Sequence, residues 1–180
     1  MGESCRKSGL VRFFVLVAAL STHARAAETD GCIPVSGKLH SQTVAIGQPL
    51  SDGMPCAAIP GTFCTTGRVT GRLNGTFDFT ATSFDLIANP DAALTGIAYF
   101  TGELILRTSH GDLFFRDAGA LNAIAGGDGS FASVLTIIEG TGVYSGATGR
   151  IRDEGIFING CVDCQYRGEV CLAPDNGGND

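Results

Sequence analysis

The sequence predicts an all-β fold: a single closed antiparallel barrel of about eight strands, stabilised by disulfides. Three observations carry that expectation. Short segments of apolar–polar alternation recur between Gly, Asn and Asp clusters, and no long Ala/Leu/Glu/Lys stretch of helical period interrupts them. Six of the seven cysteines, all but Cys5, lie beyond residue 26 and fall in two groups, with Cys32, Cys56 and Cys64 early and Cys161, Cys164 and Cys171 late. The length beyond residue 26, about 154 of 180 residues, suits one domain with its own core.

The elements follow in chain order. Arg6, Lys7 and Arg12 form a basic start opposed only by Glu3, and the apolar run Phe13 to Leu20 comes next. Ala24-Arg25-Ala26 then supplies the small-x-small pattern of a signal peptidase site. The run is too short for a hydrocarbon core that needs about 20 residues. Residues 1–26 are therefore expected to be a signal peptide cleaved after Ala26, which makes the protein secreted or periplasmic. No Cys follows that site to carry a lipid, and no later stretch reads as stable membrane insertion.

Strand candidates in residues 27–173 are Ile33 to Leu39, Gly61 to Thr70, Thr76 to Thr82, residues 94–108, Asp112 to Asp117, Ser130 to Ile138, Arg150 to Asn159 and Gln165 to Leu172. Phe77, Phe79 and Ala81 share one side of their strand, and the long strand has a bend permitted at Gly96 or Gly102. Turns are expected at Asn74-Gly75, at His110-Gly111-Asp112, across Gly126 to Gly129, and at Asn159-Gly160. Residues 43–60 lack a clear period and read as a long loop pinned by Cys56; residues 174–180 have no apolar content and read as a disordered tail. Closing the sheet would remove its exposed edges, which suits a protein that works outside the cell.

An even number of cysteines in an exported chain implies disulfides. If the first and last strands are neighbours, Cys32–Cys171 would tie them; Cys56–Cys64 would close a local loop and Cys161–Cys164 a tight one, although sequence leaves the pairing open. Cys161-Val-Asp-Cys164 also has the spacing of a redox or zinc pair. A redox pair needs a βαβ context that is missing, and zinc needs more ligands than His40 and His110 can add. No metal is expected.

Residues 1–26 hold four of the 12 basic residues and one of the 18 acidic ones, so the remainder carries eight against 17, a net of about −9. Such a surface repels phosphate backbones, so nucleic acid is not an expected partner.

The most distinctive stretch runs from Gly140 through Thr141, Gly142, Tyr144 and Gly146 to Gly149, and enters the strand beginning at Arg150. Its glycines mark a backbone that turns sharply; Thr141 can cap a short helical turn and Tyr144 can plug one end of the core. A phosphate cradle is excluded, because the loop leads into a strand and no Lys follows it.

This glycine segment, preceded by Leu135 to Glu139, resembles that of the allene oxide cyclase-like and dirigent-like barrels. Gly102 to Leu106 followed by His110 to Leu113 adds to the likeness, which covers roughly residues 60–172. Many exported bacterial proteins of unknown role share the segment. The resemblance implies an eight-stranded barrel, often trimeric, whose apolar interior can hold a hydrophobic ligand. It also implies that members which are enzymes direct cyclisation or coupling with no metal or organic cofactor. It assigns no catalytic group here, and Glu139 stands where a further Gly is common.

The candidate binding residues come from strand period: Tyr99, Glu103 and Arg107 share one face of the long strand, and Phe100 and Leu104 lie on the other. Facing inward, the first set would give a mostly apolar cavity a carboxylate and a guanidinium, fit to grip a polar head group or to shift a carboxyl pKa. Facing outward, Glu103 and Arg107 would form a weak surface pair. The uniformly apolar second face favours the outward placement. His40 and His110 read as surface loop residues, and no Gly-x-Ser-x-Gly elbow or helical Glu-x-x-His pair occurs.

The sequence thus points to an exported barrel that binds a small apolar ligand or a surface partner, and that forms a dimer or trimer if it associates with itself. The alternative is a cofactor-free isomerase or cyclase acting on an apolar substrate. Neither reading needs a cofactor.

Overall fold

The structure, a computed structural model, describes residues 31–60, 62–87, 96–123 and 128–174. The expected signal peptide, the tail beyond residue 174 and the Gly126-Gly127 turn lie outside the described residues.

Eight strands form one closed antiparallel sheet: β1 (Cys32–Val44), β2 (Cys64–Gly71), β3 (Gly75–Ile87), β4 (Ile97–Thr108), β5 (Gly111–Ala123), β6 (Gly129–Gly140), β7 (Thr148–Ile158) and β8 (Cys161–Cys171). Each strand pairs with its neighbours in sequence, and β1 closes on β8. Cys32 and Cys171 stand opposite each other in that last pairing and are joined by a disulfide, so the seam is fastened as the cysteine placement predicts. At the β7–β8 turn, Asn159 and Gly160 both take positive φ (51° and 77°), the geometry a two-residue hairpin between twisted strands requires.

Alternation decides what enters the core. On β4, Ala98, Phe100, Gly102, Leu104 and Leu106 are buried inside, while Tyr99, Thr101 and Glu103 are exposed. The irregularity beside the β4 glycine that permits a bend lies on the partner strand: the β3–β4 register shifts between Ala81 and Ser83, opposite Gly102 and Thr101. The extra residue reverses the facing of β3, so Phe84 points inward although it is out of step with Phe77 and Phe79.

One end of the barrel is filled. Leu73, Leu113, Phe115, Ile137 and Ile151 are almost completely buried there, and Tyr166 reaches across to them. The Tyr166 hydroxyl accepts from the Leu73 amide at 3.0 Å and donates to the Leu73 carbonyl at 3.1 Å, so its polar tip is satisfied. The glycine segment caps this end: a 3-10 turn spans Gly142–Tyr144, and Tyr144 packs on the core as a plug. Thr141 precedes the turn but makes no side-chain cap. Its hydroxyl instead accepts from the Asp112 amide at 2.9 Å, tying the β6–β7 connection to β5.

The β1–β2 connection is more ordered than its composition suggests. Gly47 and Leu50 donate backbone hydrogen bonds to Cys56 and Met54, making a small hairpin that folds onto the outer face of the barrel. The Cys56–Cys64 disulfide pins it there over a minor core of Cys56, Ala58 and Cys64 packed with Val44 and Leu50.

The expected Cys161–Cys164 link does not form. Residues three apart on a strand point to opposite faces, so Cys161 points outward and Cys164 inward. Cys164 is a buried free thiol, and Cys161 takes part in a different disulfide. Disulfides of this kind fit an oxidising, extracellular or periplasmic setting.

Candidate functional site

The other end of the barrel is hollow. A cavity of about 300 Å³ opens toward the end that carries the β1–β2, β3–β4, β5–β6 and β7–β8 connections. Phe63, Phe79, Phe84 and Phe100 form one wall, with ring centroids 5.7–6.5 Å apart; Leu121, Phe131 and Phe157 line the rest of the rim.

Its depth is polar. Inward positions on β5, β6 and β7 place Asp117, Ser133 and Asp153 together beneath the aromatic rim. Ser133 stands directly opposite Asp153 in the β6–β7 pairing, and its hydroxyl donates to the Asp153 carboxylate. Asp117 is diagonal to Ser133 across Gly119. A Cβ on Gly119 would meet the Ser133 Cβ at 2.5 Å and the Phe100 ring at 2.6 Å, so only glycine lets these groups converge.

Both carboxylates are 7 % exposed. Burial, and secondly repulsion from Asp153, push the Asp117 carboxyl up to about 7, with Ser133 and the Ala118 amide offsetting part of the rise. Burial also raises Asp153, against hydrogen bonds from Ser133 and the backbone. Asp117 Oδ1 is buried with no hydrogen-bond partner, and so is Ser41 Oγ, which lines the same cavity from β1. Cys164 lies nearby on β8. Burial, with the Asp153 and Asp163 charges, pushes its thiol well above the ordinary range and makes it a poor nucleophile.

The residues singled out by strand period lie elsewhere. Tyr99, Glu103 and Arg107 all face outward, because β4 turns its uniformly apolar face to the core, and none of them lines the cavity. Tyr99 is 51 % exposed. Arg107 does not pair with Glu103: it donates to Asp78 at 2.6 Å and to Asp52 at 2.5 Å. Asp78 also accepts from the Ser51 amide at 2.9 Å, the Ser51 hydroxyl at 2.6 Å and Thr66 at 2.7 Å. Burial alone would raise Asp78, but these hydrogen bonds outweigh it and hold the carboxyl below its usual value. The group is a latch that clamps the β1–β2 hairpin to the barrel wall.

His40 is exposed, as expected, but lies on β1 and not in a loop; it pairs with Asp163 across the β1–β8 seam. His110 is exposed at the β4–β5 turn. Among the described residues, Cys32, Glu169 and Cys171 cluster closely enough for a metal, but the two sulfurs are bonded to each other and offer no thiolate.

No family model, curated protein or solved structure matches the chain. Function therefore has to be argued from the cavity.

Proposed function

We propose that the protein is an exported binding barrel that takes a small apolar ligand into the cavity above Asp117 and Asp153. The observation that supports this most is a phenylalanine-lined chamber of about 300 Å³ with partnerless polar atoms in its depth. Ligand pockets combine these features: an apolar lining, a few placed polar groups, and a volume from about 300 Å³ upward. The outer face carries exposed Lys38, Arg68, Arg116, Arg152 and Arg167 while apolar side chains point inward, the reverse of a lipid-spanning barrel. That pattern supports a ligand carrier working in water.

Titration of the intact, oxidised protein with the neutral dye N-phenyl-naphthylamine tests the reading. Saturable one-to-one fluorescence enhancement is expected, and Leu104→Trp, which fills the cavity, should abolish it. Absence of saturable binding, or an unaffected Leu104→Trp variant, rules the reading out.

A catalytic reading draws on one observation, the Asp117 carboxyl lifted to about 7, where a group can give and take a proton near neutral pH. On that reading the barrel is a cofactor-free isomerase or cyclase with Asp117 as acid or base. Asp117→Asn would then stop turnover of a bound apolar substrate while leaving its affinity intact.

A further inference from the structure

The binding reading leaves the ligand's chemistry open, and the inference here rests on it. Among the described residues that line the cavity, the ionisable side chains are of one sign: Asp117 and Asp153. Ser133 has one proton for the two carboxylates beside it and donates it to Asp153, so it can satisfy only one of them at a time. Asp117 lines the cavity, and its buried Oδ1 is left without a donor. Leaving a buried carboxylate oxygen unpaired is costly, and a donor brought in by a ligand would remove that cost.

The groups packed around Asp117 add no other charge of either sign toward it. β4 presents Gly102 and Leu104, β6 presents Ser133 and Leu135, β7 presents Asp153, and β8 presents the protonated Cys164 thiol. An anionic ligand such as a fatty acid would bring a further negative charge into this low-dielectric space. A neutral donor such as an alcohol could reach the lone oxygen, but it brings no charge to balance the carboxylates. A cation offers both the missing donor and the opposite charge, and phenyl rings line the space above, a setting in which an ammonium is accepted. Across the barrel, Ser41 Oγ is the second partnerless atom, on β1, diametrically opposite β5 in the closed order of strands. A ligand with a polar atom at each end offers a partner to each.

We propose that the cavity selects amphiphilic cations, namely arylalkylamines whose ammonium pairs with Asp117 and whose far end carries a hydroxyl that reaches Ser41. No bond is made or broken. The ammonium donates to Oδ1, and where Asp117 was protonated its proton leaves to solvent.

Isothermal titration of the intact oxidised protein tests this with tyramine, para-ethylphenol (the same ring without the amine) and para-hydroxyphenylpropionate (the same ring with a carboxylate). Tyramine should bind tightest, by roughly tenfold or more over para-ethylphenol, the worth of one charge-assisted hydrogen bond. Repeating the titration near neutral pH in buffers of different ionisation enthalpy should show proton release with tyramine and none with para-ethylphenol. Asp117→Asn should bring tyramine down to the level of para-ethylphenol. The proton-release measurement stands on the unmodified protein and does not depend on that variant folding. Equal binding of amine and phenol, or tighter binding of the carboxylate, overturns the charge selectivity while the apolar-ligand reading survives. Binding of the neutral dye with no binding of the three ring compounds has the same consequence. Failure of every compound, dye included, removes the underlying reading itself.

Discussion

Replacing Asp117 by Asn keeps the shape of the side chain and removes a charge that the barrel interior opposes. The folded carboxyl titrates at about 7 instead of 3.8. At about 1.4 kcal/mol for each pH unit, that difference corresponds to about 4 kcal/mol. Because the folded form holds the proton more tightly than the unfolded form, the favourable contribution is complete below pH 3.8 and is lost as pH rises through about 7. The parent protein should therefore carry a penalty of about 4 kcal/mol in mildly alkaline solution that the Asn variant escapes. Guanidinium unfolding followed by circular dichroism, with disulfides intact and at a series of pH values, reads the difference directly. The two proteins should be similar below pH 3.8, diverge as pH rises toward about 7 and keep a constant gap above it, the variant being the more stable. The parent's remaining decline belongs to Asp153, raised for the same reason. A gap between the two proteins that stays constant from acid to alkali would mean that Asp117 is solvated, and the description of the cavity would be wrong.

Three more outcomes follow from the same structure. Asp78→Asn removes the charge and one of the two acceptor oxygens that serve Ser51, Thr66 and Arg107, and should cost about 3 kcal/mol at neutral pH. Since the folded carboxyl is held below 3.8, that cost should be full above pH 3.8 and fade as pH falls through the lowered value; a cost unchanged in strong acid would contradict the latch. Gly119→Ala should destabilise by about 1–3 kcal/mol in chemical denaturation, because the new methyl meets Ser133 at 2.5 Å, whereas an uncrowded strand glycine would tolerate or favour alanine. Cys164 should resist iodoacetamide in the folded protein and react once it is denatured, with rapid labelling of the native state counting against an inward, buried thiol.

Much of the architecture was legible because strand period and turn chemistry are local. Alternation at Phe77, Phe79 and Ala81 identified the inner face of β3, and Asn159-Gly160 marked the last hairpin. Barrel closure implied β1 beside β8, and the early and late cysteine groups were consistent with a Cys32–Cys171 link across that seam. The site was not read because it depends on neighbours remote in sequence. Asp117, Ser133 and Asp153 become one group only when β5, β6 and β7 align. A signal was nonetheless present: Leu113, Phe115, Asp117, Gly119 and Leu121 share one face, and a carboxylate among such apolar positions marks a charge turned inward. Ending that strand at Asp117 hid the pattern. Phe84 escaped for a different reason, since the β3 bulge reverses its facing and nothing in a two-residue period announces a bulge. Cys161 and Cys164 were paired by proximity in sequence, although an odd spacing on a strand sends them to opposite sides.

The account depends on an ionisable group buried beside a largely apolar chamber, and carboxyl carbon-13 NMR of the intact protein observes that group itself. The Asp117 resonance should titrate with a midpoint near 7, moving downward when tyramine is bound. A midpoint near the ordinary 3.8, unmoved by any ligand, would show a carboxylate open to water and contradict the proposed site.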